Sequence, residues 1–280
     1  MAFTISSSGK LLRDGTAVEQ IASPYTNGGF APQPKIIVMH FTMGATGRSS
    51  ANWFSDRRNT FKSSAHIVVD RDGSVIQCVS FEAGANHAGR STWKNIVGLN
   101  RHSYGIELAN WGNLTRHGNG WRSTTGVSIP DPVLAVHRNG NPNGSSAPIG
   151  WEPFPAAQSE TAEDIARALV AEYGCTEIVG HDDISKGRKW DPGPAFDMAR
   201  FREAVLEDAS DTGGNIRQVN VAEGLNLRRG PGTQFDVITL LANDTRVMVI
   251  ETSGNWVMVN VLSAAGVPSQ TGWVHSGFLD

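Results

Sequence analysis

An α/β unit built on a mixed central β-sheet flanked by helices, followed by a small all-β barrel, is the architecture this sequence predicts. Three observations carry it. The first part of the chain alternates apolar, β-branched runs with stretches of helical spacing. A short acidic stretch of small residues interrupts the chain at 208–215. Beyond it come only short strand-like runs, separated by turn residues at regular spacing. With 280 residues the chain can form two unequal cores. The expected division is a first domain at 1–207, a linker at 208–215 and a second domain at 216–280.

The elements follow in order. Ile36 to Met39 is a continuous apolar run leading straight into His40, as in a buried strand with a polar residue at its end. His66 to Val69 and Ser74 to Val79 flank Arg71, Asp72 and Gly73. Two β-branched runs around an Asp-Gly pair predict a hairpin. Tyr104 to Leu108 is a further strand that carries Glu107 among apolar neighbours. From Asn110 to Pro155 the pattern breaks into Gly, Asn, Pro and Ser, with Trp111, Trp121 and Trp151 and one short apolar run, Val133 to Val136. This segment reads as an insertion or long hairpin loop at the rim of a site, its tryptophans favouring an ordered, substrate-facing role. Ala162, Ile165, Ala166, Leu169 and Tyr173 share one helical face, and Gly174 is placed to cap that helix. Glu177 to Val179 forms another buried strand, and Phe196 to Glu207 a second helix. In the second domain, strands are expected at Leu225–Arg228, Val237–Leu241, Arg246–Glu251, Trp256–Val261 and Gly272–Val274.

Bulk properties exclude several classes. A formal charge of −3 leaves no electrostatic footprint for nucleic acid. No stretch approaches the roughly 18 apolar residues of a membrane span. The N-terminus shows no basic segment followed by an apolar core, so no signal peptide is expected. Cys78 and Cys175, the two cysteines, form neither a disulfide framework nor a Cys-rich zinc motif, and read as small buried hydrophobes.

The chemistry concentrates in GHDDISKGRKWDPGPAF, residues 180–196. A strand empties there into a loop stiffened by prolines, a common mount for functional groups. A lone histidine after a strand is more often structural than a ligand. His40 and His181 each end a strand, however, and Asp191 follows His181 in the same loop. Two imidazoles and one carboxylate make an open Zn2+ site, which keeps net positive charge and lowers the pKa of a water toward roughly 7. Amide hydrolysis also needs a proton carrier. Glu107 qualifies if its strand buries it; the alternative is an edge residue facing solvent. Lys189 could direct its ammonium at a developing oxyanion, or simply join Lys186 and Arg188 in a solvated run. His66 and His87 could serve as ligand, ligand support or substrate contact, and a cleft role is preferred for both, with Trp93 as a further substrate contact. His102, His117, His137 and His275 receive no role.

Read together, these residues resemble the zinc-dependent N-acetylmuramoyl-L-alanine amidases, the amidase-2 or AmpD-like group. The matching segments are Ile37 to Thr42, Ser64 to Gly73, Asn86 to Gly89, Ser103 to Leu108 and Gly180 to Phe196. The last is highly specific. The resemblance implies a sheet with flanking helices, zinc on His40, His181 and Asp191, Glu107 as general base, and Lys189 against the tetrahedral intermediate. It implies cleavage of the amide between N-acetylmuramic acid and L-alanine. Asp191 in place of a cysteine ligand puts the chain nearer the AmpD-like branch than the phage-lysozyme or animal recognition branches.

The tail resembles a bacterial SH3-type domain through Leu225 to Gly232, Gly254 to Val257 and Gly272 to Val274. Such a resemblance implies docking on peptidoglycan peptides, or a spacer. The partners expected are therefore peptidoglycan or muropeptides. With no signal peptide expected, the chain would be made in the cytoplasm and act on the wall after release or delivery, as a phage-type endolysin or a delivered toxin. The alternatives are a cytoplasmic muropeptide-recycling amidase and a non-catalytic peptidoglycan-binding protein.

Overall fold

The strand that carries His40 lies inside a six-stranded mixed sheet. A computed structural model describes residues 2–30, 32–207, 216–262 and 268–280 and divides the chain into two units, Met1–Leu206 and Glu207–Asp280. In chain order, the elements of the first unit that position the site are β1 (Glu19–Gln20), β2 (Ile36–Phe41), α1 (Gly47–Ser55), β3 (Ile67–Val69), β4 (Val75–Gln77) and β5 (Tyr104–Leu108). They continue with β6 (Val133–Ala135), β7 (Ile149–Trp151), α2 (Ala156–Tyr173), β8 (Glu177–Gly180), α3 (His181–Ile184) and α4 (Met198–Arg202).

The sheet order is β8-β2-β5-β3-β4-β1. Strands β8, β2, β5 and β3 run parallel, β3 and β4 form the antiparallel hairpin, and β1 is parallel to β4. The alternation of a strand explains how one sheet serves both core and chemistry. Ile37 and Met39 of β2, Tyr104, Ile106 and Leu108 of β5, and Ile178 of β8 point to one face. There they meet Ala162, Ile165, Ala166 and Leu169 of α2 in the main core. Ile36, Val38 and His40 take the opposite face, as do Gly105 and Glu107. The parallel register sets Glu107 beside His40. Helix α1 covers the β3–β4 end of that second face, burying Ala51 and Phe54 against Val68 and Ile76.

Several elements differ from expectation. Helix α2 begins at Ala156, six residues before the first residue of the expected face, Ala162, because Pro155 precedes it in extended conformation and opens its first turn. Gly174 does cap it, at φ 63°. The segment expected as a helix from Phe196 is α-helical only over Met198–Arg202, where Asp197 accepts from the Arg200 N–H, and continues as a π-helix over Glu203–Glu207. The Asn110–Pro155 segment is an ordered arm: one small sheet is formed by Thr115–His117, Gly120–Arg122 and Ser128–Ile129, and a second by β6 and β7. Ile149 and Trp151 pack with Trp121 and Val133 of the arm, and with Phe41 of β2 and Trp190, in a small core that the arm shares with the rest of the unit. Phe3–Ile5, Leu11–Arg13 and Thr16–Ala17 form a further small sheet that the sequence did not announce. Cys78 and Cys175 are both buried, and burial pushes both thiols up to about 12.

The second unit is a six-stranded antiparallel sheet in the order Ile216–Gln218, Arg246–Ser253, Trp256–Leu262, Pro268–His275, Leu225–Arg228, Val237–Leu241. Leu225, Leu227, Val247, Val257, Val259 and Val274 meet in its separate core, while their neighbours Asn226 and Met258 are more exposed. The expected linker at 208–215 lies outside the described residues.

Candidate active site

Three elements bring the titratable groups together. His40 sits one residue before the end of β2. His181 is the first residue of α3, directly after β8, and Asp191 lies in the loop that follows. Gly180 permits the turn into α3: a Cβ there would stand 2.3 Å from Asp182 Oδ1 and 2.8 Å from Pro192 Cδ. The Gly180 N–H donates to Asp183 Oδ2 at 2.8 Å, and the Asp182 N–H donates to the Asp191 carbonyl at 2.9 Å. The strand end and the loop are thereby tied across the site.

His40 Nδ1 lies 2.9 Å from His181 Nδ1, and each is 2.8 Å from Asp191 Oδ2. All three residues are buried, with 1%, 2% and 5% of their surfaces exposed. The other ring nitrogens decide the tautomers. His181 Nε2 is 3.0 Å from the Ala88 carbonyl, which only accepts, so the proton resides on Nε2. His87 Nε2 faces the Ser103 carbonyl at 3.4 Å, leaving His87 Nδ1 to accept from His40 Nε2 at 2.9 Å. Both Nδ1 lone pairs and a carboxylate oxygen therefore face one point with no proton between them. That donor set suits a divalent cation, and outer hydrogen bonds orient both imidazoles as they do at metal centres.

The electrostatics agree. Burial, aided by the neighbouring His181, lowers His40 to about 4, and burial puts His87 well below its ordinary value. Burial alone would push Asp191 up, but charge and hydrogen bonding from His181 and His40 hold it far below the usual carboxylate range. Glu107 behaves oppositely. Burial and then the Asp191 charge raise it to about 8, against a smaller opposing pull from Lys189. Its Oε2 is buried without a hydrogen-bond partner among the described residues.

These groups line a cleft of about 320 Å³ that also presents Lys189, Asn86, Asn113 and the apolar Met43, Trp53 and Trp190. His87 is in its wall, against β5. Gly105 allows that approach, since a Cβ there would fall 2.5 Å from the His87 ring. Two expected substrate contacts lie outside this lining. His66 is sealed off: its Nδ1 accepts from the Gly105 N–H and its Nε2 donates to the Ala83 carbonyl, each at 3.0 Å. Trp93 lies on a separate hairpin, where its indole donates to Glu177 Oε2 at 2.7 Å, outside the cleft lining. Sequence reasoning missed Arg188, whose Nη2 donates to the Ala88 and Arg90 carbonyls and so braces the stretch of chain that orients His181. It also missed Trp190, although Trp190 lies between Lys189 and Asp191.

Residues 30–194 match the family described as N-acetylmuramoyl-L-alanine amidase, and residues 223–280 match the bacterial SH3 domain. The chain belongs to that amidase family. The 1,6-anhydro-N-acetylmuramyl-L-alanine amidase AmpD of Escherichia coli is 30% identical over 149 residues, 52% of this chain and 61% of that protein. AmpD of Enterobacter cloacae is 28% identical over 221 residues, 72% of this chain and 97% of its own length. The N-acetylmuramoyl-L-alanine amidase AmiD of Escherichia coli is 28% identical over 215 residues, 75% of this chain and 64% of that protein. Among the described residues no helix is long and apolar enough to cross a membrane.

Proposed function

We propose that this chain is a zinc-dependent hydrolase that cleaves the amide between the lactyl group of N-acetylmuramic acid and L-alanine in peptidoglycan. The observation that carries the reading is the convergence of His40 Nδ1, His181 Nδ1 and Asp191 Oδ2 in a cleft shared with Glu107, whose Oε2 has no hydrogen-bond partner among the described residues. Those three atoms would hold zinc, which supplies Lewis acidity for a carbonyl and lowers the pKa of a water toward roughly 7. Glu107 takes a proton from the attacking water and returns it to the leaving nitrogen of L-alanine. Its raised pKa makes it a capable acid, and the nearby Lys189 draws it back toward the base form. Lys189 offers an ammonium to the oxyanion that develops on the scissile carbonyl. His87 and the Ala88 carbonyl hold the two imidazoles in one orientation. His87 thus supports a ligand as well as lining the cleft.

The second unit docks on peptidoglycan peptides and raises the effective concentration of substrate at the cleft. This favours polymeric wall as substrate and a bacteriolytic role, phage-type endolysin or delivered toxin. The AmpD relatives, named for anhydromuramyl substrates, support a second reading in which soluble muropeptides are recycled in the cytoplasm. Incubating zinc-loaded protein with purified sacculi and with soluble muropeptides, followed by mass spectrometry, tests both. Intact stem peptides with a free L-alanine N-terminus are expected, with sacculi as the better substrate for a lysin. Tight sacculus binding without cleavage of either substrate would replace the hydrolase with a peptidoglycan receptor.

A further inference from the structure

The arm returns to the site through residues that the proposed chemistry leaves unused. Arg138, just beyond β6, donates from Nε and Nη2 to both carboxylate oxygens of Asp182, at 3.0 and 2.6 Å. From the other side His137 Nε2 stands 3.0 Å from Asp182 Oδ2. The Asn139 N–H donates to His137 Nδ1 at 3.0 Å, which leaves the imidazole proton on Nε2; that atom lies close to the carboxylate but makes no hydrogen bond among the described residues. Asn139 Nδ2 also donates to the Asp182 carbonyl at 2.9 Å. The side chains of His137 and Asp182 are only 1% and 4% exposed.

Asp182 is tied directly to two candidate ligands. It is joined covalently to His181, and its N–H donates to the carbonyl of Asp191 at 2.9 Å. A buried ion pair is weak support for stability, because desolvation offsets its attraction, whereas its directionality fixes geometry. The two-pronged guanidinium hold fixes the Asp182 carboxylate in the first turn of α3, one residue from His181.

We propose that Arg138 is a positioning residue that acts through Asp182 to hold His181 Nδ1 and Asp191 Oδ2 at metal-binding separation. The arm thus sets the affinity and symmetry of the metal centre from outside it. This rests on the assignment of His40, His181 and Asp191 as ligands.

The test is metal binding by the full chain. Arg138→Met removes the forked hold at a half-exposed position and should leave folding intact. Its zinc dissociation constant, measured by chelator competition, should rise about tenfold or more, as is usual when groups that orient ligands are lost. The visible spectrum of its cobalt(II) form should also change. Arg138→Lys, which keeps the charge but not the planar fork, should recover only part of the affinity. Asp182→Asn should act in the same direction; if it does not fold, Arg138→Met decides. Wild-type zinc affinity and an unchanged cobalt spectrum in Arg138→Met would overturn the clamp, even if thermal stability fell. A wild-type chain that binds neither metal would instead overturn the ligand assignment beneath it.

Discussion

Asp191 and Glu107 are two buried carboxylates driven in opposite directions, and their substitutions should separate accordingly. Asp191→Ala removes the charge that two imidazole nitrogens face, so zinc content and turnover should vanish together, by metal analysis and by release of L-alanine termini. Glu107→Gln keeps the volume and should retain zinc while losing about 10²- to 10⁴-fold in turnover. Full activity in that variant would remove Glu107 from the mechanism. His66 makes a different prediction, of stability rather than chemistry. Burial lowers it from 6.5 to about 4. The unfolded chain therefore binds a proton there that the native chain refuses. The stabilisation is complete above pH 6.5 and is lost as pH falls toward 4, on the order of 3 kcal/mol in all. Denaturant titrations of wild type and His66→Gln should differ in slope by nearly one proton across that window. Parallel slopes would show that His66 does not carry this proton.

Strands and helices contribute through their faces. The alternation along β2 and β5 gives odd and even positions to opposite sides, so that one sheet buries Met39 and Ile106 while presenting His40 and Glu107. Helix α2 supplies the lid of the core side. Ile165 is wholly buried there, and Ile165→Ala should cost about 2–5 kcal/mol by denaturant unfolding, while zinc affinity stays near that of wild type. In the arm, Trp151 is 1% exposed, stacks near His137, and packs with Phe41 and Trp190. The arm is thus a packed element anchored on β2 and the Trp190 loop rather than a loose loop. It lines the cleft with Asn113 and also meets Trp190, whose indole donates to the Gly140 carbonyl at 2.9 Å.

At the level of the molecule, the two units have separate cores. Each unit therefore has the means to fold without the other, and deletion of residues 216–280 should leave zinc binding and hydrolysis of small muropeptides near wild type. Cosedimentation with sacculi should fall. Unchanged sacculus binding would make the second unit a spacer and move the affinity for the wall to the catalytic cleft.

Much of the fold and part of the site are legible in the sequence, because local chemistry carries them. Continuous apolar runs announce buried parallel strands, an Asp-Gly between β-branched runs announces a hairpin, and the spacing of Ala162, Ile165, Ala166 and Leu169 announces a helix that needs one covered face. His181 and Asp191 lie in one loop, so their association is visible, and His40 joins them as a second histidine at a strand end, a link the resemblance strengthens. The short polar β1 carries no such periodic signal and emerges only by pairing with β4. Side-chain fates that depend on distant backbone are hidden for the same reason. His66 is captured by Ala83 and Gly105, and Trp93 by Glu177, so neither reaches the cleft. His137 and Arg138 acquire meaning only when the arm folds back onto Asp182. Periodicity and turn chemistry are written in neighbouring residues, whereas hydrogen-bond partners far apart in sequence are chosen by the packing of the whole chain.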